Sequence, residues 1–488
     1  MKTLWIVFMS CFIVFLFAAN IFAQTPDTLW TRTYGGTEWD GGYSVQQTSD
    51  GGYIIAGYTM SFSIGFRDAW LLKTDANGDT IWTKTYGWGL TAEASSVQQT
   101  SDGGYIFAGY IESGGLGIDV WLIKTDANGD TMWTRTYDET VEDVAYSVQQ
   151  TTDSGYIITG CIGFNSPDIY IIKTDINGDT LWTRIYGGGF IDTIDAEGNE
   201  VQQTSDGGYI IVGHKEIYNS GNRDLYLIKI DANGDSLWSK TYGGNGWDEG
   251  FSVQQTSDKG YIITGVTSPF VSGGDVYLVK TDSLGDTVWT RTYGGDSLEV
   301  GFSVQLTNDG GYVIVGGTSS FGSNWCNVYL VKTNSSGDTL WTRNYGIHEI
   351  NYGNSIQQTS EGGYIIVGVT DSAEVDLDVY LLKIDSEGNI EEGEKRETEP
   401  LLKIIKIFPN PYSTFTSIKV RRQLYSTELR IFDISGRSVK NLMLPATDNI
   451  PEIVVTWFGK DKQGHEVPPG IYFLKADGMN VEKVVKVR

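Results

Sequence analysis

The chain has 488 residues, of which 61 are acidic and 35 basic, and its net charge is −26. A chain of this length is expected to form two or three structural units. Because the balance is strongly acidic, we expect neither nucleic acid nor an anionic membrane surface as a partner.

The chain begins with a segment typical of secretory signal peptides. Lys2 precedes an apolar run from Leu4 to Ala19, and Ile21–Ala23 is an acceptable cleavage site before Gln24. We predict a signal peptide at residues 1–23, with an uncleaved anchor as the alternative; a lipid on Cys11 fits less well, because Cys11 lies inside the apolar run. Nothing later is apolar enough to cross a bilayer, so we expect no membrane span after removal of the signal.

Three sequence phrases recur seven times each, about 50 residues apart. The first, D-T-L-W-T-R-T-Y, has its tryptophans at Trp30, Trp82, Trp133, Trp182, Trp238, Trp289 and Trp341. The second, S-V-Q-Q-T-S-D-G-G-Y, has its tyrosines at Tyr53, Tyr105, Tyr156, Tyr209, Tyr261, Tyr312 and Tyr364. The third, D-A-W-L-L-K-T-D-A-N-G, ends at Gly78, Gly129, Gly178, Gly234, Gly285, Gly337 and Gly388.

Each repeat predicts four short strands, because β-branched and aromatic runs alternate with Gly-Gly and Asn-Gly turns. Four strands in about 50 residues are typical of a propeller blade. A linear β-solenoid is the alternative, but its coils are usually shorter. We therefore predict an all-β protein with a seven-bladed β-propeller at residues 24–388. The phase of the repeats leaves Thr28–Tyr34 without a blade of its own, so this strand is expected to complete the last blade and close the ring.

Two basic positions recur in every repeat and are interpreted as structural. The first holds Lys73, Lys124, Lys173, Lys229, Lys280, Lys332 and Lys383. The second holds Arg32, Lys84, Arg135, Arg184, Lys240, Arg291 and Arg343. We expect Asp68 and its equivalents to pair with the second set across the hairpin, with a small effect on stability. Cys161 and Cys326 occupy different places in their repeats, so we expect small buried side chains and no disulfide.

The hairpin T-D-A-N-G-D-T-I-W at Thr74–Trp82 resembles the Asp-box of sialidase-like propellers and the turn of quinoprotein-type repeats. Both resemblances imply the fold more than an activity. A sialidase-like site would need an arginine cluster, and only Arg67 and Arg223 lie outside the repeated arginine position. A quinoprotein site would need adjacent cysteines, and the two propeller histidines, His214 and His348, have no nucleophile motif beside them. We therefore predict no catalytic residue, no cofactor-binding residue and no cofactor.

The same hairpins carry oxygen ligands at calcium-loop spacing. Asp75, Asn77 and Asp79 are repeated as Asp126, Asn128 and Asp130, as Asp175, Asn177 and Asp179, and as Asp231, Asn233 and Asp235. However, the glycine falls at position 4 and position 12 is not glutamate, unlike an EF-hand loop. A β-turn explains D-x-N-G fully, so no metal ligand is predicted.

The fourth repeat is the longest, and its extra residues are acidic. The loop Gly187–Glu200 contains Asp192, Asp195 and Glu197. Functional loops on rigid scaffolds often have this character, and so do neutral insertions. Both interpretations stay open here.

After the charged linker at residues 389–400, the chain changes sign. Gln24–Gly388 has 18 basic and 48 acidic residues, whereas Leu401–Arg488 has 14 and 8. I-F-P-N-P, L-R-I-F-D-I-S-G-R and V-P-P-G-I-Y-F-L-K alternate with turn residues. They predict a small Ig-like β-sandwich at residues 401–488.

This last segment resembles the type A C-terminal sorting domain of the type IX secretion system in its P-N-P, D-x-x-G-R and P-G-I-Y-F motifs. Its W-x-G-x-D-x-x-G at Trp457–Gly464 is also similar to the Ig-like domain of flagellar hook-capping proteins. The resemblance implies that the secretion machinery is a partner and that the protein is secreted or held at the outer face of the outer membrane. An ordinary Ig-like spacer is the alternative.

Together these observations predict a secreted or surface-displayed propeller that acts as a non-catalytic binding or scaffold protein for glycans or other surface proteins. The alternative is a hydrolase or lyase that acts on extracellular polysaccharide from one face of the propeller. An enzyme should show several polar residues that depart from the repeat in one pocket.

Overall fold

The computed structural model describes residues 29–112, 117–163, 167–187, 194–217, 222–269, 273–322, 325–371, 376–390, 402–411, 413–422, 428–433, 437–443, 452–475 and 482–487. The chain divides into two compact units, Met1–Glu391 and Glu392–Arg488. The predicted signal peptide and most of the predicted linker lie outside the described residues. The described part contains no helix with the length and apolarity that a bilayer crossing requires.

The first unit consists of seven four-stranded antiparallel blades, which confirms the predicted propeller; a single parallel bridge between Arg223 and Trp247 joins blades 4 and 5 into one sheet. Blade 1 contains β2 (Asp40–Gln47), β3 (Tyr53–Thr59), β4 (Asp68–Thr74) and β5 (Thr80–Tyr86). Blade 2 contains β6 (Ala92–Gln99), β7 (Tyr105–Glu112), β8 (Ile118–Thr125) and β9 (Thr131–Tyr137). Blade 3 contains β10 (Asp143–Gln150), β11 (Tyr156–Ile162), β12 (Asp168–Thr174) and β13 (Thr180–Tyr186).

The remaining blades repeat this order from the inner to the outer strand. Blade 4 contains β14 (Ile194–Gln203), β15 (Tyr209–Ile217), β16 (Arg223–Ile230) and β17 (Ser236–Tyr242). Blade 5 contains β18 (Gly246–Gln255), β19 (Tyr261–Pro269), β20 (Asp275–Thr281) and β21 (Thr287–Tyr293). Blade 6 contains β22 (Glu299–Leu306), β23 (Tyr312–Thr318), β24 (Asn327–Thr333) and β25 (Thr339–Tyr345).

The seventh sheet is built from both ends of the propeller sequence. It contains β26 (Asn351–Gln358), β27 (Tyr364–Asp371) and β28 (Leu377–Ile384), with β1 (Trp30–Tyr34) as its outer strand. β1 runs antiparallel to β28, with Trp30 opposite Lys383 and Tyr34 opposite Val379. The first strand thus satisfies the edge that β28 would otherwise leave open.

The core lies between the blades, because the second and third strands of each blade are buried on both faces. In blade 1 every residue of β3 and β4 is buried. The outer-strand tryptophan of one blade covers the turn of the next: a Cβ on Gly78 would come within 2.7 Å of the Trp30 ring. Gly78 also has a φ of +79°, so the turn requires glycine for two reasons.

The second unit is a small β-sandwich, as predicted. One sheet contains β29 (Leu402–Phe408), β30 (Thr416–Arg422) and β33 (Glu452–Trp457). The other contains β31 (Glu428–Phe432), β32 (Ser438–Met443), β34 (Gly470–Lys475) and β35 (Glu482–Lys486). The core includes Trp457, which is edge-on to Tyr472 at 5.1 Å and donates a hydrogen bond to the Lys460 carbonyl at 3.0 Å.

The motifs of this unit have structural roles. Asn410 of P-N-P donates to the Lys483 carbonyl and accepts from the Val485 amide, both at 2.9 Å, and so binds the last strand. Asp433 of D-x-x-G-R accepts from the Arg437 amide at 3.0 Å. Asp461 accepts from the amides of Gln463 and His465 at 2.9 Å, which closes the turn of W-x-G-x-D-x-x-G.

Candidate functional site

The propeller has two ends that differ in character. At the turn face, each blade presents its two hairpin turns, which are residues 48–52 and 75–79 in blade 1. At the loop face, each blade presents the loop between its second and third strands and a connector to the next blade, which are residues 60–67 and 87–91 in blade 1. The repeated residues concentrate their contacts at the turn face, and the residues that depart from the repeat lie at the loop face.

The first repeated lysine is a structural residue of the turn face. The buried Lys73 Nζ donates to the Thr74 carbonyl at 2.9 Å and lies 2.9 Å from an Asp50 carboxylate oxygen. Burial raises the pKa of Asp50, but hydrogen bonds from Thr48 and Lys73 outweigh it and bring the pKa to about 2. The same pair recurs as Lys124–Asp102, Lys173–Asp153, Lys229–Asp206, Lys280–Asp258 and Lys332–Asp309. Lys383 lies over the Tyr53 ring, 6.0 Å from its centroid.

The second repeated cation binds the neighbouring blade, and our expectation that it pairs with Asp68 and its equivalents is wrong. The guanidinium of Arg32 donates to the Asn77 carbonyl at 3.1 Å, and Arg135 lies 3.1 Å from Asp179. Asp68 is buried at the opposite end of the blade, where it accepts from the Ile64 amide at 3.2 Å. The register explains the error, because β4 and β5 pair Leu71 with Lys84 and leave Asp68 beyond the last pair.

In each D-x-N-G turn, the aspartate carboxylate accepts hydrogen bonds from the backbone of its own turn. One oxygen of Asp75 accepts from the amides of Asn77 and Asp79, at 2.8 and 2.9 Å. The Gly78 amide donates to the Asp75 carbonyl at 3.2 Å. In the described part of the chain, no group of three or more His, Cys, Asp or Glu side chains could hold a metal ion. Absence of calcium from these turns stays a prediction.

The central channel is lined by serine and glutamine side chains that join the blades. Ser44 accepts from the Val97 amide at 3.2 Å, and Gln46 accepts from the Gln99 amide at 2.5 Å. The lined cavity has a volume of about 300 Å³. Glu200 stands where other blades have serine, and its carboxylate accepts from the Val253 amide at 2.7 Å. Burial raises the pKa of Glu200 to about 7, against the lowering effect of that hydrogen bond.

At the loop-face mouth of the channel, Arg67 and Glu93 form an ion pair between blades 1 and 2. The guanidinium also lies over the Tyr58 ring, 4.3 Å from its centroid. Tyr43 and Tyr110 contact this pair, and burial, together with the charge of Glu93, raises the pKa of both phenols. Arg67 is one of the two arginines that depart from the repeat.

The second such arginine, Arg223, forms an equivalent pair between blades 4 and 5. It lies 3.2 Å from Glu249 and 3.4 Å from Glu216. Nδ1 of the fully buried His214 lies 3.2 Å from the other oxygen of Glu249. Burial would raise the pKa of Glu249, but the hydrogen bond and charge of His214 and the charge of Arg223 lower it to about 2. The ionised form of Glu249 is therefore the favoured one.

Outside the mouth, apolar side chains are exposed on adjoining segments of the loop face. We call Trp39, Phe62, Phe66, Trp88 and Leu90 the aromatic patch. Trp39 and Trp88 are 49% and 56% exposed. Backbone hydrogen bonds join the three segments: Met60 donates to the Trp39 carbonyl at 2.9 Å, and Arg67 donates to the Leu90 carbonyl at 3.3 Å. The patch is therefore continuous over blade 1.

Buried aromatic rings fix the orientation of two patch residues. Trp88 is edge-on to Trp121 with ring centroids 5.3 Å apart, and Phe62 lies 5.7 Å from Trp70. Rings held in this way lose little conformational entropy when a partner binds. The patch is suited to binding.

The junction of blades 7 and 1 carries several carboxyl groups. Asp40, Asp376 and Asp378 lie close enough to interact, and Asp40 accepts hydrogen bonds from Ser61 and from the Gly36 amide. Burial, followed by the charges of Asp376 and Asp40, raises the pKa of Asp378 to about 6. Such a carboxyl group can carry a proton near neutral pH.

The structure brings some of the residues noted in the sequence together and separates others. Arg223 and His214, from neighbouring strands, both contact Glu249, which the sequence patterns did not single out, and Glu200 of the acidic loop reaches the channel. Residues 188–193, which include Asp192, lie outside the described residues, as does the side chain of Asp195.

The other propeller histidine, His348, and the two propeller cysteines do not contact the pair of Arg223 and Glu249. The charge of His348 instead lowers the pKa of Asp378, which belongs to blade 7. Cys161 and Cys326 are both free. Burial raises the pKa of Cys161 to about 12, so this thiol is unreactive.

Sequence reasoning missed the aromatic patch and the Arg–Glu pairs. The available signal was position: these residues lie in the variable segments between the recurring phrases, and Arg67 and Glu93 occupy the same repeat positions as Arg223 and Glu249. Trp39 and Trp88 precede the inner strand, outside the three recurring phrases. Exposure of these rings and contacts between repeats could only be read from the structure.

Comparisons with known proteins identify one of the two structural units. No curated protein matches the chain significantly. PorZ, an essential bacterial surface component of the type IX secretion system of Porphyromonas gingivalis, is 11% identical with a TM-score of 0.41. The match covers 90% of this chain and 58% of that one, so the chain spans less than two thirds of PorZ. Sqt1 from Chaetomium thermophilum is 10% identical with a TM-score of 0.43, over 80% of this chain and 97% of that one.

Residues 406–487 match the family model of the secretion system C-terminal sorting domain. This match favours the sorting domain over the hook-capping resemblance. The C-terminal unit is therefore a type IX sorting domain, and it directs the protein to the cell surface or the exterior of the outer membrane.

Proposed function

We propose that the propeller is a non-catalytic binding or scaffold module, which the sorting domain delivers to the cell surface and which holds a glycan or another surface protein at its loop face. The observation that carries this proposal is the aromatic patch. Monomeric proteins seldom expose several large aromatic side chains on adjoining segments unless these side chains bind something. The sorting domain supports the location, since it directs the protein to the cell surface.

The two arginine–glutamate pairs at the channel mouth support binding over catalysis. A general acid or base must exchange a proton near the working pH. Glu249 has a pKa of about 2, and it is held ionised between His214 and Arg223. Arg67 and Glu93 likewise form an ion pair. A paired carboxylate such as Glu249, with its pKa far below neutral, can orient a ligand but is poorly suited to transfer protons.

The binding proposal is tested with a Trp39→Ala/Trp88→Ala variant of the full chain. Retention on immobilised cell-envelope polysaccharides and on envelope proteins should fall at least tenfold, because truncation of central aromatic residues usually costs about 2 kcal/mol or more. An Ile81→Ala/Leu237→Ala variant is the control, since both residues are equally exposed but lie on outer strands. Unchanged retention by the tryptophan variant, with folding intact, would contradict the proposal.

One observation favours an enzyme as the second candidate. Glycoside hydrolases pair a carboxylic acid of raised pKa with an ionised carboxylate. Asp378, with its pKa of about 6, lies beside Asp40 and Asp376 at the loop face. If the protein cleaves polysaccharide, Asp378→Asn should abolish the release of reducing ends. If wild type releases none from any envelope polysaccharide that it retains, the enzyme candidate fails.

A further inference from the structure

The basic residues of the propeller are distributed unequally between its two ends, and most of them make their contacts at the turn face. Of the 18 lysines and arginines in Gln24–Gly388, 14 occupy the two repeated positions. The contacts described above direct them to turn-face groups, such as Asp50 and the 75–79 turn. Lys259 also lies in a turn-face hairpin. The loop face is left with Arg67, Lys215 and Arg223.

These three cations are already engaged. Arg67 and Arg223 are paired with glutamates, and Lys215 Nζ lies over the Tyr226 ring, 5.2 Å from its centroid. In contrast, exposed carboxylates stand on several connectors of the described loop face. They are Glu38, Asp138, Glu139, Asp296 and Glu349. Buried carboxylates at the blade junctions add further negative charge at this face. They are Asp40, Asp143, Asp248 and Glu299. The loop face therefore has a strongly negative potential.

Exposed apolar side chains extend this surface beyond blade 1. A second group lies on the loop and connectors around blade 6: Leu298, Phe321, Trp325, Ile347 and Ile350. Trp325 is 80% exposed. Hydrogen bonds join these segments as they do in blade 1, since Cys326 donates to the Glu349 carbonyl at 3.1 Å and Ser319 donates to the Leu298 carbonyl at 2.9 Å. Glu38 lies beside Trp39 of the aromatic patch, on the connector that leads into blade 1.

We infer that the loop face is the docking surface of a basic polypeptide. The inference rests on the proposed binding function and names its partner. Carboxylates attract lysine and arginine, and exposed indole rings bind both their cations and the apolar side chains around them. The apolar groups lie around blade 6 and on blade 1, with blade 7 between them in the ring, so an extended polypeptide can contact both. An anionic glycan would be repelled by the same face.

The test uses the full chain and a labelled synthetic peptide of alternating lysine and tyrosine, with a glutamine–tyrosine peptide as the neutral comparison. Fluorescence anisotropy gives the Kd at low and at physiological salt. A Glu38→Gln/Glu349→Gln variant removes two loop-face charges, and Asp79→Asn/Asp338→Asn removes two exposed charges at the turn face. We expect the loop-face variant to weaken binding of the lysine peptide about fivefold at low salt, with about twofold or less for the turn-face variant.

The outcomes separate this inference from the proposed function. Weakening by the loop-face pair and by Trp39→Ala/Trp88→Ala, with the turn-face pair unaffected, supports the inference. Equal weakening by both charge variants shows attraction to net charge alone and overturns it. If a neutral polysaccharide binds through the tryptophans and the lysine peptide does not, the inference fails while the proposed function stands. If no ligand depends on the tryptophans, both fail.

Discussion

Removal of the Trp30 ring from the closing strand should destabilise the propeller measurably. Trp30 is 6% exposed, packs edge-on to Tyr53 with ring centroids 6.0 Å apart, and covers Gly78 of blade 1. Truncation of a buried tryptophan to alanine costs about 3–5 kcal/mol. For a propeller of this size, with an unfolding entropy of roughly 0.7 kcal/mol/K, a loss of about 3 kcal/mol lowers Tm by about 4 °C.

Calorimetry compares the Tm of Trp30→Ala with that of Trp82→Ala. The comparison separates the effect of the closing strand from that of an ordinary outer-strand tryptophan. Trp82 occupies the equivalent position on β5 and packs on Tyr105 in the same geometry, but it belongs to a strand continuous with its own blade. Deletion of residues 29–34 should lower Tm further than either substitution, because it also removes the strand paired with β28. An unchanged Tm after this deletion would refute the closure argument.

Two other predictions concern carboxyl groups. Titration of calcium into the chelated protein should leave Tm unmoved, because each D-x-N-G carboxylate already closes its own turn; a rise of several degrees would reveal real sites. The raised pKa of Asp378, about 6, means that this group adds stability when protonated, so its contribution is present at low pH and is lost as pH rises through about 6. Asp378→Asn should therefore be more stable than wild type at pH 7, by about 1 kcal/mol after allowance for solvent screening. This difference should shrink toward pH 4. Equal Tm differences between variant and wild type at both pH values would contradict the predicted pH dependence.

The repeated positions explain why the fold could be predicted from sequence. A residue type that recurs seven times at one spacing is expected to meet the same environment in each repeat, and four short strands in about 50 residues make that environment a propeller blade. The position of Thr28–Tyr34 ahead of the first full repeat likewise indicates a strand shared with the last blade. Register within a hairpin is not visible in such a pattern, which is why Asp68 was assigned the wrong partner.

The candidate site was harder to predict because its residues come from different repeats. Arg67 and Glu93 are separated by a complete strand pair, and they meet only because blade 2 packs against blade 1. The sequence places both of them outside the recurring phrases but does not show that they share one end of the channel. Exposure of Trp39 and Trp88 depends on the course of the loops around them, which composition does not specify.

Delivery of the propeller by the sorting domain is tested most directly by surface display. The full chain and a chain that ends at Glu392 are expressed in a host with the type IX system, and protease accessibility is measured on intact cells. The full chain should be accessible at the surface. The shorter chain should fold with the same propeller Tm and stay in the periplasm, because the two units are separately compact. Surface display of the shorter chain would contradict the account.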